Sequence, residues 1–284
     1  MSLHLGVVAQ APERPTALAV LDFGNSSFGK LTSQTVIANL KQESSLTIPD
    51  GGMVKAAATG GGYTGSLNLS LSEARNLGSV LACDFFILGD AQTLRRSTSS
   101  DSFYFDAYAS LFVVSARTGR LLSWERPNFQ ASSPAEAEKS LLAELSSAGA
   151  RFRILRSINR AREDERNERA RTTDEQVPVI EAAPDDSKVA EAEGLRLPRP
   201  YRRIVPEYPE SAARAEAEAT VDVWADLDKT GDVTRVEVAR WGGFGLDEET
   251  VKTVRQLHFF PAMREGVPIP IRVLLRYNFR KSAK

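Results

Sequence analysis

The chain has very few of the residues that build catalytic and metal-binding centres. Its 284 residues include one cysteine, Cys83, and two histidines, His4 and His258, which lie far apart. A single cysteine excludes a disulfide framework and a multi-cysteine metal site. Two distant histidines argue against a histidine-based catalytic triad. We therefore expect a protein that is not an enzyme and that needs no metal or cofactor.

Net charge and long apolar runs are also nearly absent. The 36 Lys and Arg residues balance 37 Asp and Glu residues. Nucleic-acid-binding domains carry a basic surplus, so we expect no nucleic acid as a partner. No stretch approaches the roughly 18 uninterrupted apolar residues that indicate a membrane-spanning helix. The apolar content of 42% is that of a soluble globular protein, and the length predicts about two domains.

The first 15 residues carry a pattern typical of secretion. A short apolar run, LGVVA, ends at Ala9-Gln10-Ala11, which fits the small-x-small pattern of signal-peptidase sites. We interpret residues 1–15 as the tail of a secretory signal whose beginning lies outside this sequence. The alternative, a disordered terminus with a chance Ala-x-Ala, stays open.

Residues 16–158 alternate strand-like runs with helical patterns. Apolar runs of the buried-strand type lie at 16–23, 46–49 and 84–90. Ser70 and Glu73 form a capping-box pattern, which predicts a helix that continues to Ala82. Alternating runs on both sides of residues 117–120 predict a hairpin. These elements predict a first domain at 16–158.

Helical periodicity continues to the end of that domain and stops at Asn159. The residues of the apolar stripe are Leu141, Leu145, Ala148, Phe152 and Leu155. We expect this stripe to pack on the sheet. A break in the helix near Gly149 is the alternative. Residues 159–200 mix charges with proline and alanine, and such a composition buries too little surface to fold alone. They are predicted to form a mobile, partly helical linker.

Residues 201–284 begin with a stiff arm and continue as a compact pattern of strands and helices. VPEYP at 205–209 carries two prolines, which favour extended geometry followed by the start of a helix. Strands are predicted at 219–228, after the turn at Gly231, and at 271–279. The prediction is an α+β domain with a three-stranded antiparallel sheet and two helices on one side.

Two further features have competing interpretations. GGGYTG at 60–65 satisfies GxGxxG, but it does not follow the first strand, so we interpret it as a surface loop. Trp224 falls between Asp222 and Asp226 on the polar face of its strand. An exposed tryptophan there marks an interface, and the alternative is that another segment of the chain covers it.

Residues 206–279 resemble the C-terminal domain of the TonB energy-transducer family. The matching positions, in order, are Pro206, Tyr208, Pro209, Gly231, Leu246, Asp247, Phe260, Pro261, Ala262, Gly266, Pro268 and Phe279. Two positions depart from the family, which usually has glycine where this chain has Ala219. Its best-studied members have glutamine at the position of Val205. The resemblance implies that residues 201–284 bind the box peptide of a TonB-dependent outer-membrane receptor by β-strand addition.

Residues 16–158 resemble the TolB N-terminal and CsgG-like periplasmic module. The resemblance rests on Asp22-Phe23-Gly24-Asn25, on ACDFFILGDAQTL, and on Ala116-Arg117-Thr118-Gly119 with Trp124. It implies a mixed α/β sandwich that serves as an interaction domain for an unknown envelope partner.

Together the resemblances imply a periplasmic energy transducer that supports TonB-dependent transport. An ExbB/ExbD-type motor is a further partner if an inner-membrane anchor precedes residue 1. The alternative is a non-catalytic periplasmic scaffold that uses the TonB-like domain only for binding. The implied contact residues are Val205, Pro206, Glu207, Tyr208, Pro209, Ile271, Arg272, Val273, Leu274, Leu275, Arg276, Tyr277, Asn278 and Phe279. The arm has a second interpretation, in which it only seats the first helix against the sheet.

Overall fold

The structure is a computed structural model that describes residues 14–97, 103–171, 180–184 and 187–281. Residues 1–13 of the predicted signal tail lie outside the described residues. The described elements form two units. We call residues 14–171 the first unit and residues 180–281 the second unit.

The first unit is built on a mixed sheet. Its strands are β1 (Thr16–Val20), β2 (Leu46–Thr47), β3 (Phe85–Ser97), β4 (Phe103–Ser115), β5 (Leu121–Glu125) and β6 (Asn128–Ala131). The strand order is β2-β1-β3-β4-β5, and β6 also pairs with β4. β1 is parallel to β2 and β3, whereas β3, β4 and β5 are antiparallel neighbours. The turn at 117–120 joins β4 to β5, so the predicted hairpin is confirmed.

Helices cover both faces of this sheet. They are α1 (Ser27–Leu40), α2 (Gly51–Gly60), α3 (Leu71–Val80), α4 (Pro134–Leu145) and α5 (Ala148–Arg171). α1, α4 and α5 share a core with Leu18, while α2 and α3 share another with Ala19. Neighbouring residues of a strand point to opposite faces, so β1 serves both cores. The capping box is confirmed, because the Ser70 N–H donates to the Glu73 carboxylate at 2.7 Å.

The apolar stripe predicted over residues 141–155 is interrupted in the middle. α4 ends at Leu145 and α5 begins at Ala148, so the helix is interrupted close to Gly149, where a break was one of the two alternatives. The interruption shifts the helical phase, so Ile154 is buried and Phe152 is 65% exposed. The expectation that Ala148 and Phe152 pack on the sheet is wrong, because both are exposed.

The second unit is a small α+β fold around an antiparallel sheet. Its elements are α6 (Ser187–Ala192), β7 (Leu195–Arg196), β8 (Arg199–Pro200), α7 (Glu210–Ala215), β9 (Ala219–Leu227), β10 (Val233–Arg240), α8 (Leu246–Val254), β11 (Phe259–Phe260), β12 (Ala262–Arg264), β13 (Val267–Ile269) and β14 (Ile271–Phe279). The three-stranded sheet has the order β10-β9-β14. The odd-numbered residues of β9 and β14, such as Val221 and Ile271, share a core with α7 and α8. Both helices therefore lie on one face, as predicted.

The turn between β9 and β10 requires glycine. Gly231 has φ of +90°, and a Cβ there would lie 1.9 Å from the carbonyl oxygen of Phe259. The Phe259 N–H donates to the Gly231 carbonyl oxygen at 2.9 Å. The close approach lets the turn pack directly on β11.

The predicted linker, residues 159–200, contributes to both cores where it is described. α5 continues to Arg171 and buries Ala161 against the first unit. Ala190 and Leu195 belong to the core of the second unit. Isolated apolar residues in a charged segment have no periodicity, so composition does not reveal them. The mobility of this segment stays a prediction.

A loop of the second unit completes one core of the first. Trp241 is 1% exposed, stacks on Phe112 with ring centroids 5.9 Å apart, and donates its indole N–H to the Gly119 carbonyl oxygen at 3.1 Å. Phe244 meets Phe112 edge-on at 5.4 Å. The Asn68 amide donates to the Trp241 carbonyl oxygen at 2.6 Å. The two units are therefore interlocked by side chains.

Candidate partner-binding edge

The last strand, β14, pairs with β9 along one edge and turns its other edge away from the sheet. The backbone groups of Arg272 point along that outer edge. Its N–H donates to the Glu181 carbonyl oxygen at 2.8 Å, and its carbonyl oxygen accepts from the Ala183 N–H at 2.7 Å. Outward groups recur at every second residue of an antiparallel strand. Alternate residues within Leu274–Asn278 therefore present their N–H and C=O groups on the same edge.

A groove of about 430 Å³ runs between the second half of β14 and the arm that precedes α7. Consecutive residues 275–279 of β14 line one side, and residues 202–206 line the other. A groove beside a strand face would meet alternate residues, so the continuous run indicates that the groove follows the strand edge. Val205, 74% exposed, and the buried Pro206 belong to the arm side. The structure thus brings the predicted arm and last strand together.

The rest of the arm seats the first helix of the second unit. The Tyr208 hydroxyl donates to the Ala217 carbonyl oxygen at 2.7 Å, and its ring stacks on Phe279 at 6.4 Å. Burial raises the pKa of Tyr208, in keeping with its packed position. Pro209 is the N-cap of α7, and Glu207 is exposed. The interpretation that the arm seats the first helix therefore holds for Tyr208 and Pro209, and the contact of the arm with a partner stays a prediction.

Two arginines of β14 pair with buried aspartates of β9. Arg272 donates to both carboxylate oxygens of Asp226, and Arg276 donates to both of Asp222 at 2.7 and 2.9 Å. Asp222 and Asp226 are almost fully buried. The hydrogen bond to Asp226 raises the pKa of Arg272. These pairs cover the sheet face opposite the helices, so the arginines stabilise the sheet in addition to any contact with a partner.

The groove is cationic. Among the described residues that line it are Arg202 and Arg203, together with Arg276, whose charge Asp222 balances, and that lining contains no carboxylate. Burial raises the pKa of Tyr277, which stands on the strand side, and the charge of Arg203 opposes that rise. A peptide that carries a carboxylate is therefore electrostatically favoured in this groove.

Several residues of this region have no recognisable signal in the sequence. Ile204, Leu257 and Phe259 line the groove although none belongs to a predicted contact segment. The pairing of Glu181 and Ala183 with Arg272 is also not predicted from the sequence, since the segment 180–184 beside Pro184 is too short to show strand periodicity. It covers part of an edge that was expected to be open along its whole length.

The tryptophan that joins the two units is not the one that the sequence pattern singles out. Trp224, the candidate interface residue, is half-buried between its strand neighbours Glu237 and Leu274. Trp241, which has no distinctive sequence pattern, makes the contact between the units. Its position follows from the loop after β10, and no local pattern encodes which surface that loop meets.

Residues 205–280 match the sequence model of the family described as Gram-negative bacterial TonB protein C-terminal. The predicted resemblance of this part of the second unit to the TonB C-terminal family is therefore confirmed. The match includes the arm and all of β14. The resemblance of residues 16–158 to the TolB N-terminal module stays a prediction.

Solved structures with some similarity to the chain include three bacterial proteins. Hypothetical protein CT253 from Chlamydia trachomatis is 12% identical, with 46% of this chain and 92% of that chain covered and a TM-score of 0.33. The Pseudomonas aeruginosa TonB C-terminal domain is 19% identical, with 31% and 89% covered and a TM-score of 0.27. Lipoprotein GNA1162 from Neisseria meningitidis is 15% identical, with 48% and 96% covered and a TM-score of 0.34.

A comparison with curated proteins found no match. Within the described ranges, no helix combines the length and the apolar character needed to span a membrane.

Proposed function

We propose that this chain is a periplasmic, non-enzymatic TonB-like protein that binds the box peptide of an outer-membrane receptor by β-strand addition and supports TonB-dependent transport. The observation that carries the proposal is the groove between residues 275–279 of β14, an outer strand of its sheet, and residues 202–206 of the arm. An unpaired strand edge offers a row of N–H and C=O groups to an extended segment.

The arm contributes to the proposed binding by forming the far wall of the groove. Pro206 is buried and Pro209 caps α7, so the arm is ordered before a partner arrives. A wall that is already ordered adds little entropic cost to association. Val205 offers an exposed apolar side chain to a residue of the incoming peptide.

The cationic lining supports a receptor peptide that contains at least one Asp or Glu. Arg202 and Arg203 stand on the arm side, so a carboxylate of the peptide meets them while its backbone pairs with β14. Such rim charges raise association rates and fix the register more than they raise affinity.

Calorimetry tests the proposal with the full chain and synthetic box peptides of TonB-dependent receptors from the same organism. We expect binding to at least one such peptide and none to its scrambled form. If no receptor box peptide of that organism binds, the transducer role is contradicted.

A periplasmic scaffold is the second candidate, and the interlocking of the two units favours it. Ion pairs join the units at Arg120–Glu237 (3.1 Å) and Arg96–Glu216 (3.2 Å), in addition to the Trp241 contact. A fixed arrangement of two units suits an adaptor that holds an envelope partner on the first unit. Cross-linking to an ExbB/ExbD-type motor in cells supports transduction, whereas peptide binding without a motor contact or an inner-membrane anchor supports the scaffold.

A further inference from the structure

A cavity of about 370 Å³ in the first unit has no role in the proposed function. Its walls come from residues within 21–25 after β1, from the last turn of α2, from residues 63–65 of the loop after α2, and from Gly89 and Asp90 of β3. Two of these segments belong to the patterns DFGN and GGGYTG, which are distant in the sequence. Ligand pockets usually enclose about 300–1,000 Å³, so the cavity has room for a small molecule.

The cavity lies at the place in the sheet where open α/β folds usually bind ligands. β2, β1 and β3 are parallel, with β1 in the centre. The chain runs from β1 through α1 to β2, and then through α2 and α3 to β3 on the other side of β1. Ligands of such sheets bind outside the carboxyl ends of the strands, where the strand order reverses. Residues that follow β1 line the cavity together with β3, so it occupies this position.

The turn after β1 is fixed beside β3 without any ligand. The Leu21 N–H donates to the Ile87 carbonyl oxygen at 3.0 Å, and the Ala91 N–H donates to the Phe23 carbonyl oxygen at 3.2 Å. The buried Phe23 ring lies against Gly89, where a Cβ would come within 2.4 Å of a ring carbon. A wall that is already ordered adds little entropic cost to binding.

The Asp90 carboxylate has one oxygen that is hydrogen-bonded and one that is available. Oδ2 accepts from the Gln92 amide at 3.0 Å and from the Tyr108 hydroxyl at 3.5 Å. Oδ1 lies beside Gly24, which also lines the cavity, and no described residue donates to it. Burial raises the pKa of Asp90, while the Gln92 hydrogen bond and the charge of Arg126 oppose that rise. Oδ1 can therefore accept a hydrogen bond from a ligand.

An ammonium group already binds the other carboxylate of the cavity. The Lys55 Nζ lies 3.1 Å from Asp22 Oδ2, and the two side chains are 56% and 37% exposed. An ion pair this exposed contributes little stability, so a ligand can displace it. Asp22 and Asp90 together outweigh the single charge of Lys55 in the lining, which disfavours anions and favours cations.

We propose that this cavity binds a small molecule through a primary ammonium group, which donates to Asp90 Oδ1 and is attracted by Asp22. Hydrogen bonds between an ammonium and a carboxylate are charge-assisted and stronger than neutral ones. Lys55 competes with the ligand for the field of Asp22. An aliphatic amine and an amino sugar both carry this group, and the hydroxyls of a sugar have Asn25 and Thr59 in the lining as further partners. The site is separate from the groove beside β14.

NMR titration of the full chain with 1,4-diaminobutane and with glucosamine tests the site. We expect saturable shifts of the backbone amides of Gly24, Gly65 and Gly89 with at least one of them at millimolar concentration. Glucose, which has a hydroxyl in place of the amino group of glucosamine, is the control and should cause no such shifts. A response to only one amine identifies its class as the ligand. No shift with either amine, or an equal response to glucose, overturns the inference.

Two substitutions with opposite expected effects test the roles of the charges. Asp90→Asn keeps the shape of the side chain and should weaken binding of the amine about tenfold or more, since it removes a charged acceptor. Lys55→Gln removes the competing ammonium and should tighten binding several-fold. Asp164→Asn, at an exposed position of α5, is the matched control and should change nothing. Unchanged affinity in Asp90→Asn overturns the inference. If that variant does not fold, weaker or equal binding in Lys55→Gln overturns it instead.

Discussion

The two outer edges of the small sheet in the second unit meet different surroundings. The edge of β10 faces the first unit across a cleft of about 670 Å³, whose lining includes consecutive residues 120–124 and 235–238. The Arg120–Glu237 ion pair spans that cleft at 3.1 Å. The edge of β14 has the segment 180–184 at one end and the open groove at the other. One edge thus faces the first unit, and the other faces the segment 180–184 and the groove.

This difference shows that the availability of an edge strand is decided by its neighbours. β10 and β14 both flank β9, and both are regular antiparallel strands over most of their length. The loop that contains Trp241 follows β10 directly and packs in a core of the first unit, so this side of the sheet lies next to the first unit. The arm before α7 leaves a gap beside β14 that an extended segment can fill. We expect strand addition at β14 and none at β10.

A proline substitution on the outer edge of β14 and one on that of β10 should give the largest difference in peptide binding. Leu274→Pro removes an outward N–H from β14 and bends the strand, so it should abolish binding of receptor box peptides. The register places the N–H of Val236 on the outer edge of β10, and Val236→Pro should leave that binding largely unchanged. Calorimetry measures both variants. Leu274→Ala, which keeps the N–H, is the control and should weaken binding only modestly. Loss of binding in both proline variants would contradict the assignment to β14.

Removing the tryptophan that joins the units tests how firmly the β10 side of the sheet is held against the first unit. Trp241→Ala creates a cavity beside Phe112 and should lower the free energy of unfolding by about 3–5 kcal/mol. Chemical denaturation of the full chain measures this change. The half-buried Trp224 is the control, and Trp224→Ala should cost clearly less. A cost below about 1 kcal/mol for Trp241→Ala, typical of a surface position, would argue that the units are not interlocked.

The arginines of β14 that pair with buried aspartates should matter for stability as well as for binding. Arg272→Ala leaves the buried carboxylate of Asp226 without its partner, which should cost about 3 kcal/mol of unfolding free energy. Arg202→Ala, at an exposed arm position, should change it by less than about 0.5 kcal/mol. Parallel denaturation curves measure the pair. Equal effects would show that the Arg272–Asp226 pair does not hold the sheet face.

The loop on the β10 side should respond to pH. Asp247 accepts from the N–H groups of Gly242 and Gly243 at 2.8 and 2.9 Å, and burial raises its pKa from 3.8 to about 6. The folded state therefore binds a proton more tightly than the unfolded state. The contribution of Asp247 to stability should fall as pH rises from about 4 to about 6 and stay level above that range.

Asp247→Asn removes this titration, so the difference in unfolding free energy between wild type and variant isolates it. As the pH falls from neutral to about 4, the unfolding free energy of the wild type should rise relative to that of the variant. Thermal or chemical denaturation at several pH values measures it. A difference that is flat between pH 4 and 7 would exclude a raised pKa at Asp247.

The cationic rim of the groove should give the smallest effect. Arg202→Gln and Arg203→Gln each remove an exposed charge, which is worth at most about 1 kcal/mol. Binding of a receptor peptide with a carboxylate should weaken a few-fold in low salt and should recover wild-type behaviour as salt screens the charges. The same peptide with its Asp or Glu replaced by the amide is the control. An undiminished contrast between variants at high salt would point to a packing role.

Local patterns predicted the parts of the fold that depend on near neighbours in the chain. The capping box at Ser70, the hairpin at 117–120 and the turn at Gly231 are confirmed because each depends on a few adjacent residues. The helical stripe failed at Phe152, since a break of two residues between α4 and α5 reset its phase. Periodicity carries no information across such a break.

The sequence by itself determined the resemblance of residues 205–280 to the TonB C-terminal family, the sheet with helices on one face, and the position of the arm near the last strand. The tertiary structure alone decided that residues 180–184 pair with Arg272 at the edge of β14. It also decided that Trp241 enters the first unit. Backbone hydrogen bonds and interface burial join residues that are distant along the chain, and no local pattern records those contacts.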